Sequence, residues 1–458
     1  MVDVVILVGV VVALVVAASV LKLHPFLALL LAALLGGLAF TLPLPPVGED
    51  PGLIGIISTG FGTTLGNIGL VIALGTIIGV VLDTSGAAIT MADLVVRKIG
   101  EKHPTITVSV IGYIVSIPVF CDSGYVILNS LKESIATRAR TSPVAMSVAL
   151  ATGLYATHTL VPPTPGPIAA AGNLGLESQL GLVILVGLPI AAVSAVAGNL
   201  WATRFRHETP DGVSSAEVEE KIREFESMRE SAGRLPSPGA AFAPIFVPLV
   251  LIMLGSIAAL PSAPLGSSTA TEVLRFVGLP VVALLIGLVC SLALLPRRGF
   301  MAAFEERVGE GIVAAAPILL ITGAGGAFGA VITATDVGTY LGEQLSELGI
   351  GVLVPFLVAA ALKTAQGSST VALVTTSALM APLVGDLGLD TDLGRVLVVM
   401  AIGAGAMTVS HANDSYFWVV SQFSRMSVKQ AYRAQTMATL VQGLTAIAVV
   451  WVLSLVVV

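Results

Sequence analysis

Four short polar clusters stand inside long apolar tracts of the sequence, and they hold most of the residues that could do chemistry there. They are CDSG (121–124), HTLVPPTPGP (158–167), KTAQGSST (363–370) and SHANDS (410–415). A charged or strongly polar side chain at membrane depth costs several kcal/mol when it faces lipid, so such residues usually face a cavity or one another. The clusters therefore predict a polar site inside a membrane protein, with ligand binding and proton exchange as its chemistry.

The titratable residues of these clusters are candidates for proton coupling. Asp122 ranks first as the proton carrier, His158 and His411 follow because histidine titrates near physiological pH, and Asp414 is a further candidate or a structural partner. Lys363 is the one deep cation, and it pairs either with a substrate carboxylate or with Asp122 or Asp414. Sodium held by backbone carbonyls is the alternative coupling ion.

Small and hydroxyl residues at the clusters predict an anion site. Glycine lets the backbone approach a ligand closely, and serine or threonine caps a helix N-terminus without filling the space. A helix that begins there directs its N–H groups and the positive end of its dipole at the ligand. The predicted substrate-binding residues are Ser123, Gly124, Thr159, Thr164, Gly367, Ser368, Ser369, Thr370, His411 and Asn413. No metal-ligand spacing, cofactor motif or catalytic constellation is recognisable.

The composition is that of a polytopic membrane protein. Hydrophobic residues make up 55% of the 458 residues and charged residues 11%, whereas soluble domains carry about 25% charged residues. This excludes a soluble globular protein, a disordered chain and a nucleic-acid binder. The two cysteines, Cys121 and Cys290, lie in apolar tracts, so no disulfide framework is predicted. The first apolar tract lacks a basic leader and is interpreted as a transmembrane helix rather than a cleaved signal.

Apolar tracts of about 20 residues, the length that spans a bilayer, predict ten crossings. These are 3–21, 25–43, 54–82, 143–173, 180–203, 241–260, 275–296, 310–333, 391–424 and 434–457, of which 143–173 and 391–424 are interrupted. The tracts 105–136 and 351–386 are too long for one crossing and carry polar residues at their centres, so each is predicted to be a re-entrant helical hairpin. The four prolines of PPTPGP must break the helix that contains them.

The distribution of basic residues predicts the orientation. With the N-terminus outside, all but three of the 22 Lys and Arg residues fall on the cytoplasmic side. The exceptions are Arg275, Lys363 and Arg395. Both termini are then outside, and the charged segment 204–240 is a cytoplasmic linker, either a solvated connector or a regulatory docking helix.

Landmarks recur in the same order in the two halves of the chain. A Gly-x3-Gly pair, a hairpin with a serine at its tip, and an interrupted span with a histidine appear twice, at nearly the same separation. Hairpin 105–136 is flanked by basic residues and opens to the cytoplasm, whereas hairpin 351–386 opens outside. Inverted-topology repeats with discontinuous helices at the midplane are typical of secondary transporters. The predicted organisation is N-terminal scaffold helices (1–52), a first transport repeat (53–203), the linker (204–240), scaffold helices (241–296) and a second repeat (297–458).

Five sequence blocks spread over nearly the whole chain resemble the gluconate permease (GntP) family. They are GFGTTLGNIGLVIALG (60–75), IPVFCDSGYVIL (117–128), HTLVPPTPGP (158–167), KTAQGSSTVAL (363–373) and SHANDSYFW (410–418). The resemblance implies a proton symporter of gluconate or a related small hydroxy-carboxylate in the inner membrane, within the wider ion-transporter superfamily. It also implies a homodimer, an elevator motion of a transport domain against a scaffold, no enzymatic activity, and lipid rather than nucleic acid as surroundings.

Two positions depart from the pattern of sugar-acid members. Cys121 stands where these read PVFFD, and Thr164 stands where they read PPHPGP, although Asp122 is kept. A smaller substrate such as glycerate or D-serine is therefore an alternative to gluconate. A small-anion channel or uniporter is the alternative mechanism.

Overall fold

The fold is known from a computed structural model, in which all regular secondary structure of the described part is helical. The structure describes residues 23–44, 51–100, 102–212, 235–259, 268–296, 298–335, 351–412 and 414–457, with isolated positions between 6 and 21 and at 46 and 266. This confirms the all-α prediction. The predicted crossing 3–21, most of the linker and the site residue Asn413 lie outside the described residues.

The first ten described helices cover the chain up to residue 277. They are α1 (Pro25–Ala39), α2 (Gly52–Thr84), α3 (Ala87–Ile99), α4 (Pro104–Val115), α5 (Cys121–Arg138), α6 (Pro143–Leu160), α7 (Pro165–Asn173), α8 (Leu180–Ala202), α9 (Pro238–Ala259) and α10 (Thr269–Val277). The remaining helices are α11 (Pro280–Ser291), α12 (Phe300–Thr333), α13 (Leu353–Gln366), α14 (Ser369–Met380), α15 (Asp392–Met407), α16 (Ser415–Phe423), α17 (Val428–Ala431) and α18 (Met437–Val457). A π-helical stretch, Tyr432–Thr436, joins α17 to α18.

Six helical segments of the described chain are long and apolar enough to cross a membrane, or seven if the pair α10 and α11, bent by 72°, counts as one. Several predicted crossings are shorter or broken in the structure. Helix α1 has 15 residues, and the tract 391–424 is divided between α15 and α16. Hydropathy averages over such breaks, which is why a tract of the sequence is longer than the helix it contains.

Helix α3 is absent from the sequence prediction. It has 13 residues, begins after Gly86 and ends at Gly100, and Arg97 and Lys98 lie in its last turn, where basic side chains favour the negative end of the helix dipole. Its polar residues kept it from being recognised as an apolar tract. Its first six residues, 87–92, are buried, and the helix packs against α4 and α9.

Helix α6 is the centre of the fold. Every residue from Val144 to Leu160 is buried, as expected for a helix that is apolar all round its circumference. It packs against α4, α5, α8 and α15. The residues that end α6 therefore lie inside the protein and not against lipid.

Two glycines of α2 allow the breaks of neighbouring helices to approach closely. A Cβ atom at Gly75 would lie 3.1 Å from the carbonyl oxygen of Pro163, and one at Gly79 would lie 2.9 Å from that of Pro118. Both distances are shorter than ordinary van der Waals contact, so a side chain there would displace backbone. The Gly-x3-Gly pair of the first half thus seats two broken segments against α2.

The start of the linker is held against the last part of the chain. Asp211 accepts a hydrogen bond from the Ser427 backbone N–H at 3.0 Å, and the Gly212 N–H donates to the Arg425 carbonyl at 2.9 Å. The hydrogen bonds from Ser427 keep the pKa of Asp211 below its usual value. Glu208 forms an ion pair with Arg433. The linker therefore leaves α8 along the surface formed by 425–433.

Candidate functional site

The candidate site is built from four breaks between consecutive helices. They are residues 116–120 between α4 and α5, 161–164 between α6 and α7, 367–368 between α13 and α14, and 408–414 between α15 and α16. The four polar clusters of the sequence lie at or beside these breaks. Each break is followed by a helix N-terminus, whose first N–H groups have no partner within the helix.

Lys363 and Asp414 form a buried ion pair at the centre of the site. Their Nζ and Oδ2 atoms are 2.6 Å apart, and their side chains are 0% and 6% exposed. Nζ also donates a hydrogen bond to the Gly367 carbonyl. The Asp414 carboxylate accepts further hydrogen bonds from the Ser410 hydroxyl at 2.5 Å and the Tyr416 N–H at 3.1 Å. Of the partners that the sequence left open, Lys363 takes Asp414, which also caps α16.

Asp122 has no such neutralising partner. It lies in the first turn of α5. Its Oδ2 atom accepts a hydrogen bond from the Cys121 thiol at 3.6 Å, and the Ser415 side chain lies within hydrogen-bonding reach of the carboxyl group. Its Oδ1 atom is buried without a hydrogen-bond partner, and no Lys, Arg or His of the described chain forms an ion pair with it. Asp122 is close enough to Asp414 to be repelled by its charge. The site therefore holds one compensated and one uncompensated carboxyl group.

Aromatic rings connect the breaks of the two halves. His158 is buried between Phe120, 5.9 Å away, and Tyr155, 6.3 Å away in a stacked arrangement. Its Nδ1 atom has no hydrogen-bond partner among the described residues. Tyr155 stacks on Tyr416 at 5.0 Å, and the Nζ of Lys363 lies 6.0 Å from its ring centre. Tyr155 and Tyr416 are not among the site residues predicted from the sequence. The sequence did offer a signal for them, because Tyr155 lies three residues before His158 and Tyr416 lies two residues after Asp414.

The tip between α13 and α14 is defined by hydrogen bonds. Gly367 adopts a left-handed conformation, with φ of 89°, and the Ser368 hydroxyl accepts the Val371 N–H at 3.3 Å as the N-cap of α14. Ser369 is buried next to Tyr155, whereas Thr370 is partly exposed. His411 reaches this segment from the fourth break, with its Nε2 atom 2.9 Å from the Thr364 carbonyl oxygen.

Three predicted binding residues of the first half are occupied by internal contacts. The Thr164 hydroxyl donates to the carbonyls of Val161 and His158, at 2.7 and 3.0 Å, so it satisfies acceptors that the break leaves open. The Thr159 hydroxyl donates to the Tyr155 carbonyl at 3.2 Å. A Cβ atom at Gly124 would lie 2.8 Å from the Leu154 side chain, so this glycine packs α5 against α6.

Two further buried polar groups were missed by the sequence analysis. The first is Asp83, which lies next to Ser123 and whose buried Oδ1 atom has no hydrogen-bond partner in the described part of the chain. Lys132 was counted among the cytoplasmic charges, but it is fully buried and donates to the Ser147 hydroxyl at 2.9 Å. Its ion-pair partner Glu133, 2.9 Å away, is 44% exposed.

An open cavity of about 330 Å³ lies at the other ends of α7 and α14. Its lining includes Asn67, Asn173, Glu177, Thr333 and Arg395. The Asn173 amide donates to Ser377 at 2.9 Å, which ties α7 to α14 at this level. These two helices begin at the site and end at the cavity. At a rise of 1.5 Å per residue, their lengths place the cavity about 14–18 Å from the site.

The arrangement combines converging helix N-termini with a carboxyl group, that of Asp122, which forms no ion pair with a cation of the described chain. The former can hold an anion and the latter can hold a proton, and neither needs a metal. No group of three His, Cys, Asp or Glu side chains in the described ranges is placed to bind a metal ion.

Comparison with known proteins places the chain in a family. The profile of the GntP family permeases matches residues 1–456. The chain is 32% identical over 442 residues to the gluconate permease of Pseudomonas aeruginosa, covering 95% of this chain and 94% of that protein. It is 31% identical over 444 residues to the D-serine transporter DsdX of Escherichia coli, with the same coverages. An uncharacterised permease of Haemophilus influenzae is 35% identical over 410 residues, covering 88% and 81%.

Solved structures support the fold. The Alcanivorax borkumensis YdaH transporter superposes with a TM-score of 0.65 at 18% identity, covering 94% of this chain and 98% of that one. Neisseria gonorrhoeae MtrF, described as an antimetabolite efflux pump, superposes with a TM-score of 0.63 at 16% identity, covering 93% and 94%. With apolar helices long enough to span a bilayer and relatives that are permeases and not enzymes, this chain belongs to the GntP permease family of multi-pass membrane transporters.

Proposed function

We propose that the protein is a secondary active transporter that carries a small hydroxy-carboxylate, gluconate or a relative of it, into the cell with a proton. The inner membrane is its location. The substrate class is supported by the relatives, which include gluconate permeases and D-serine transporters. Proton coupling is supported by the site, in which one carboxyl group has no cation.

The observation that carries the proposal is the contrast between Asp122 and Asp414. Asp414 is neutralised by Lys363 at 2.6 Å, whereas the buried Oδ1 of Asp122 has neither a hydrogen bond nor a cation among the described residues. An ionised, unpaired carboxylate costs several kcal/mol at membrane depth. A monoanionic substrate adds a second negative charge. A proton on Asp122 removes one of the two, so the loaded site crosses with the lower charge.

Substrate binding is assigned to the tips of the breaks. Helices α5, α7, α14 and α16 begin there, and the positive ends of their dipoles favour a carboxylate. The substrate hydroxyls are bound by the hydroxyl groups of Ser123, Ser369 and Thr370 and by the imidazole of His411. Asn413, which lies outside the described residues, is proposed as a further binding residue because it is close to His411 in the sequence. The internally bonded Thr159 and Thr164 shape the backbone around the ligand rather than touching it. The Thr164 hydroxyl hydrogen is already donated to backbone carbonyls, so it is not available to donate to a sugar-acid hydroxyl. Glycerate and D-serine therefore stay alternatives to gluconate as substrates.

The proposed architecture has ten crossings, two re-entrant hairpins and two repeats of inverted topology. The pairs α4–α5 and α13–α14, each two helices around a short break, support the hairpins at 105–136 and 351–386. The division into scaffold (1–52 and 241–296), repeats (53–203 and 297–458) and linker (204–240) follows from it. The chain works as a homodimer in which the repeats move as an elevator against the scaffold, with both termini outside.

Reconstitution tests the function. Purified protein in proteoliposomes is given an imposed proton gradient, and uptake of labelled gluconate, glycerate and D-serine is measured. We expect accumulation of one of them above its equilibrium level, and collapse of that accumulation by a protonophore. Uptake that only equilibrates the substrate, whatever the gradient, would indicate a channel or uniporter instead.

Site and orientation are tested by cysteine labelling. Single cysteines at Ser123, Ser369 and Thr370 should be protected from thiol reagents by substrate, while a cysteine at the exposed Thr84 should not. An impermeant reagent should fail to label cysteines within 215–230 in intact cells. Labelling of that segment from outside would reverse the proposed orientation.

A further inference from the structure

The ammonium group of Lys363 lies where a bound inorganic cation would be expected. Its Nζ atom is 2.6 Å from a carboxylate oxygen of Asp414 and donates to the backbone carbonyl of Gly367. The Lys363 side chain is completely buried. Carboxylate and carbonyl oxygens are the ligands that hard cations prefer in proteins, and unwound carbonyls at the ends of broken helices are where transporters bind sodium.

The surrounding contacts fix these oxygens in place without the lysine. Gly367 ends α13 in a left-handed conformation, and Ser368 caps the next helix. Asp414 is held by the Ser410 hydroxyl at 2.5 Å and by the Tyr416 N–H at 3.1 Å. The acceptors are therefore pre-organised around a positive charge, which is a property of a cation site as well as of an ion pair.

We propose that Lys363 is a tethered substitute for a coupling cation at the break 367–368 between α13 and α14. This rests on the proposed function and names its ion dependence. A covalently attached ammonium is always at its site, since tethering makes its effective concentration independent of the medium. The Lys363–Asp414 pair at the break 367–368 then stays neutral in every state. No sodium is bound there, and the proton on Asp122 is the exchangeable cation of the cycle.

If Lys363 substitutes for a cation, an added cation should restore what is lost when its side chain is shortened. Lys363→Ala removes the ammonium and three methylene groups, which leaves room for propylammonium or for hydrated sodium between Asp414 and Gly367. Lys363→Met removes the charge but fills the space. Both variants leave the Asp414 carboxylate unpaired, but only Lys363→Ala leaves space for a cation. A difference between their responses to added cation therefore shows that the site binds a cation, whereas loss of charge alone would affect both equally.

Thermal unfolding of the purified protein is the first readout, because it does not depend on any substrate. Protein is purified throughout in choline, sodium or propylammonium chloride at equal ionic strength. We expect the wild-type melting temperature to be the same in all three. We expect Lys363→Ala to melt lower in choline and to recover in sodium or propylammonium, and Lys363→Met to stay low in all. Lys363→Ala with Asp414→Asn, which lacks both charges, should melt above Lys363→Ala in choline and should not respond.

Uptake is the second readout. Wild-type uptake should be equal in sodium and choline, whereas Lys363→Ala should lose uptake in choline and regain part of it in sodium or propylammonium. Equal cation responses of the Ala and Met variants, no response of Lys363→Ala, failure of Lys363→Ala to fold even in propylammonium, or a sodium requirement of the wild type would each overturn the proposal. If no substrate is transported by the wild type, the proposed function fails, but the melting temperatures still decide the role of Lys363.

Discussion

The helix pairs α4–α5 and α13–α14 differ in how their breaks handle charge. The break of α4–α5 presents Asp122, which has the Cys121 thiol and the Ser415 side chain beside it but no ion-pair partner among the described residues. The break of α13–α14 is flanked by Lys363, which is bonded to Asp414 and to the Gly367 carbonyl. A paired charge in a buried site is held in one state, whereas an unpaired carboxyl group can gain or lose a proton at lower cost. Both pairs are helices interrupted at a polar tip. One tip carries a paired, fixed charge, and the other carries the carboxyl group that we propose to exchange a proton.

The largest effect is expected from breaking the fixed pair. Asp414→Ala leaves Lys363 buried without its counter-charge, and loss of one partner of a buried pair costs about 3–5 kcal/mol. We expect a much lower melting temperature and little monodisperse protein after detergent extraction. Asp414→Ala combined with Lys363→Met should recover most of the loss.

The exposed ion pair between Arg395 and Asp390, 2.5 Å apart, is a matched control. Asp390→Asn should cost no more than about 1 kcal/mol, as is usual for exposed pairs. Equal losses for Asp414→Ala and Asp390→Asn would show that the buried pair is not the fixed charge of the comparison.

Asp122→Asn should remove the exchangeable charge while the fold is kept. The asparagine resembles the protonated carboxyl group in shape but cannot release a proton. We therefore expect uptake driven by a proton gradient to fall to background, while counterflow of substrate against substrate is partly retained. The melting temperature should stay near that of the wild type because no ion pair is lost. Gradient-driven accumulation at the wild-type level would remove Asp122 from this role and make His158 or His411 the leading candidate.

A smaller effect is expected where the first break packs on α2. Gly79→Ala places a Cβ atom 2.9 Å from the Pro118 carbonyl oxygen, and overpacking of this kind costs about 1–3 kcal/mol. Because Pro118 precedes Asp122 by four residues, proton-driven uptake should fall as well as the melting temperature. Gly66→Ala in the same helix meets no atom within 4 Å and should leave both unchanged. If Gly79→Ala and Gly66→Ala behaved equally, close packing of the first break on α2 would not matter for stability or uptake.

The smallest effect is expected at the cap of the second tip. Ser368→Ala removes the acceptor for the Val371 N–H, and loss of an N-cap costs about 1 kcal/mol. Ser368→Asp or Ser368→Asn, which can cap, should retain the wild-type melting temperature. If Ser368→Ala is neutral for stability but weakens substrate binding, the hydroxyl serves the ligand and not the helix.

The sequence by itself determined the composition of the site and the places where helices break. Proline in PPTPGP cannot donate a hydrogen bond and clashes with the preceding turn, so the interruption after Leu160 follows from local chemistry alone. Buried polar clusters in apolar tracts were equally readable, because hydrocarbon does not tolerate them unpaired. The short amphipathic helix α3 escaped, since a hydropathy window recognises only long apolar segments.

The tertiary structure decided which groups meet. Lys363 and Asp414 are far apart in the chain, and so are Tyr155 and Tyr416, whose rings are 5.0 Å apart. Pairing, burial and satisfaction of hydrogen bonds depend on how helices distant in sequence pack together, whereas helix formation and its interruption depend on neighbours within a few residues. That separation of range is the physical reason why the polar clusters could be found from the sequence and their partners could not.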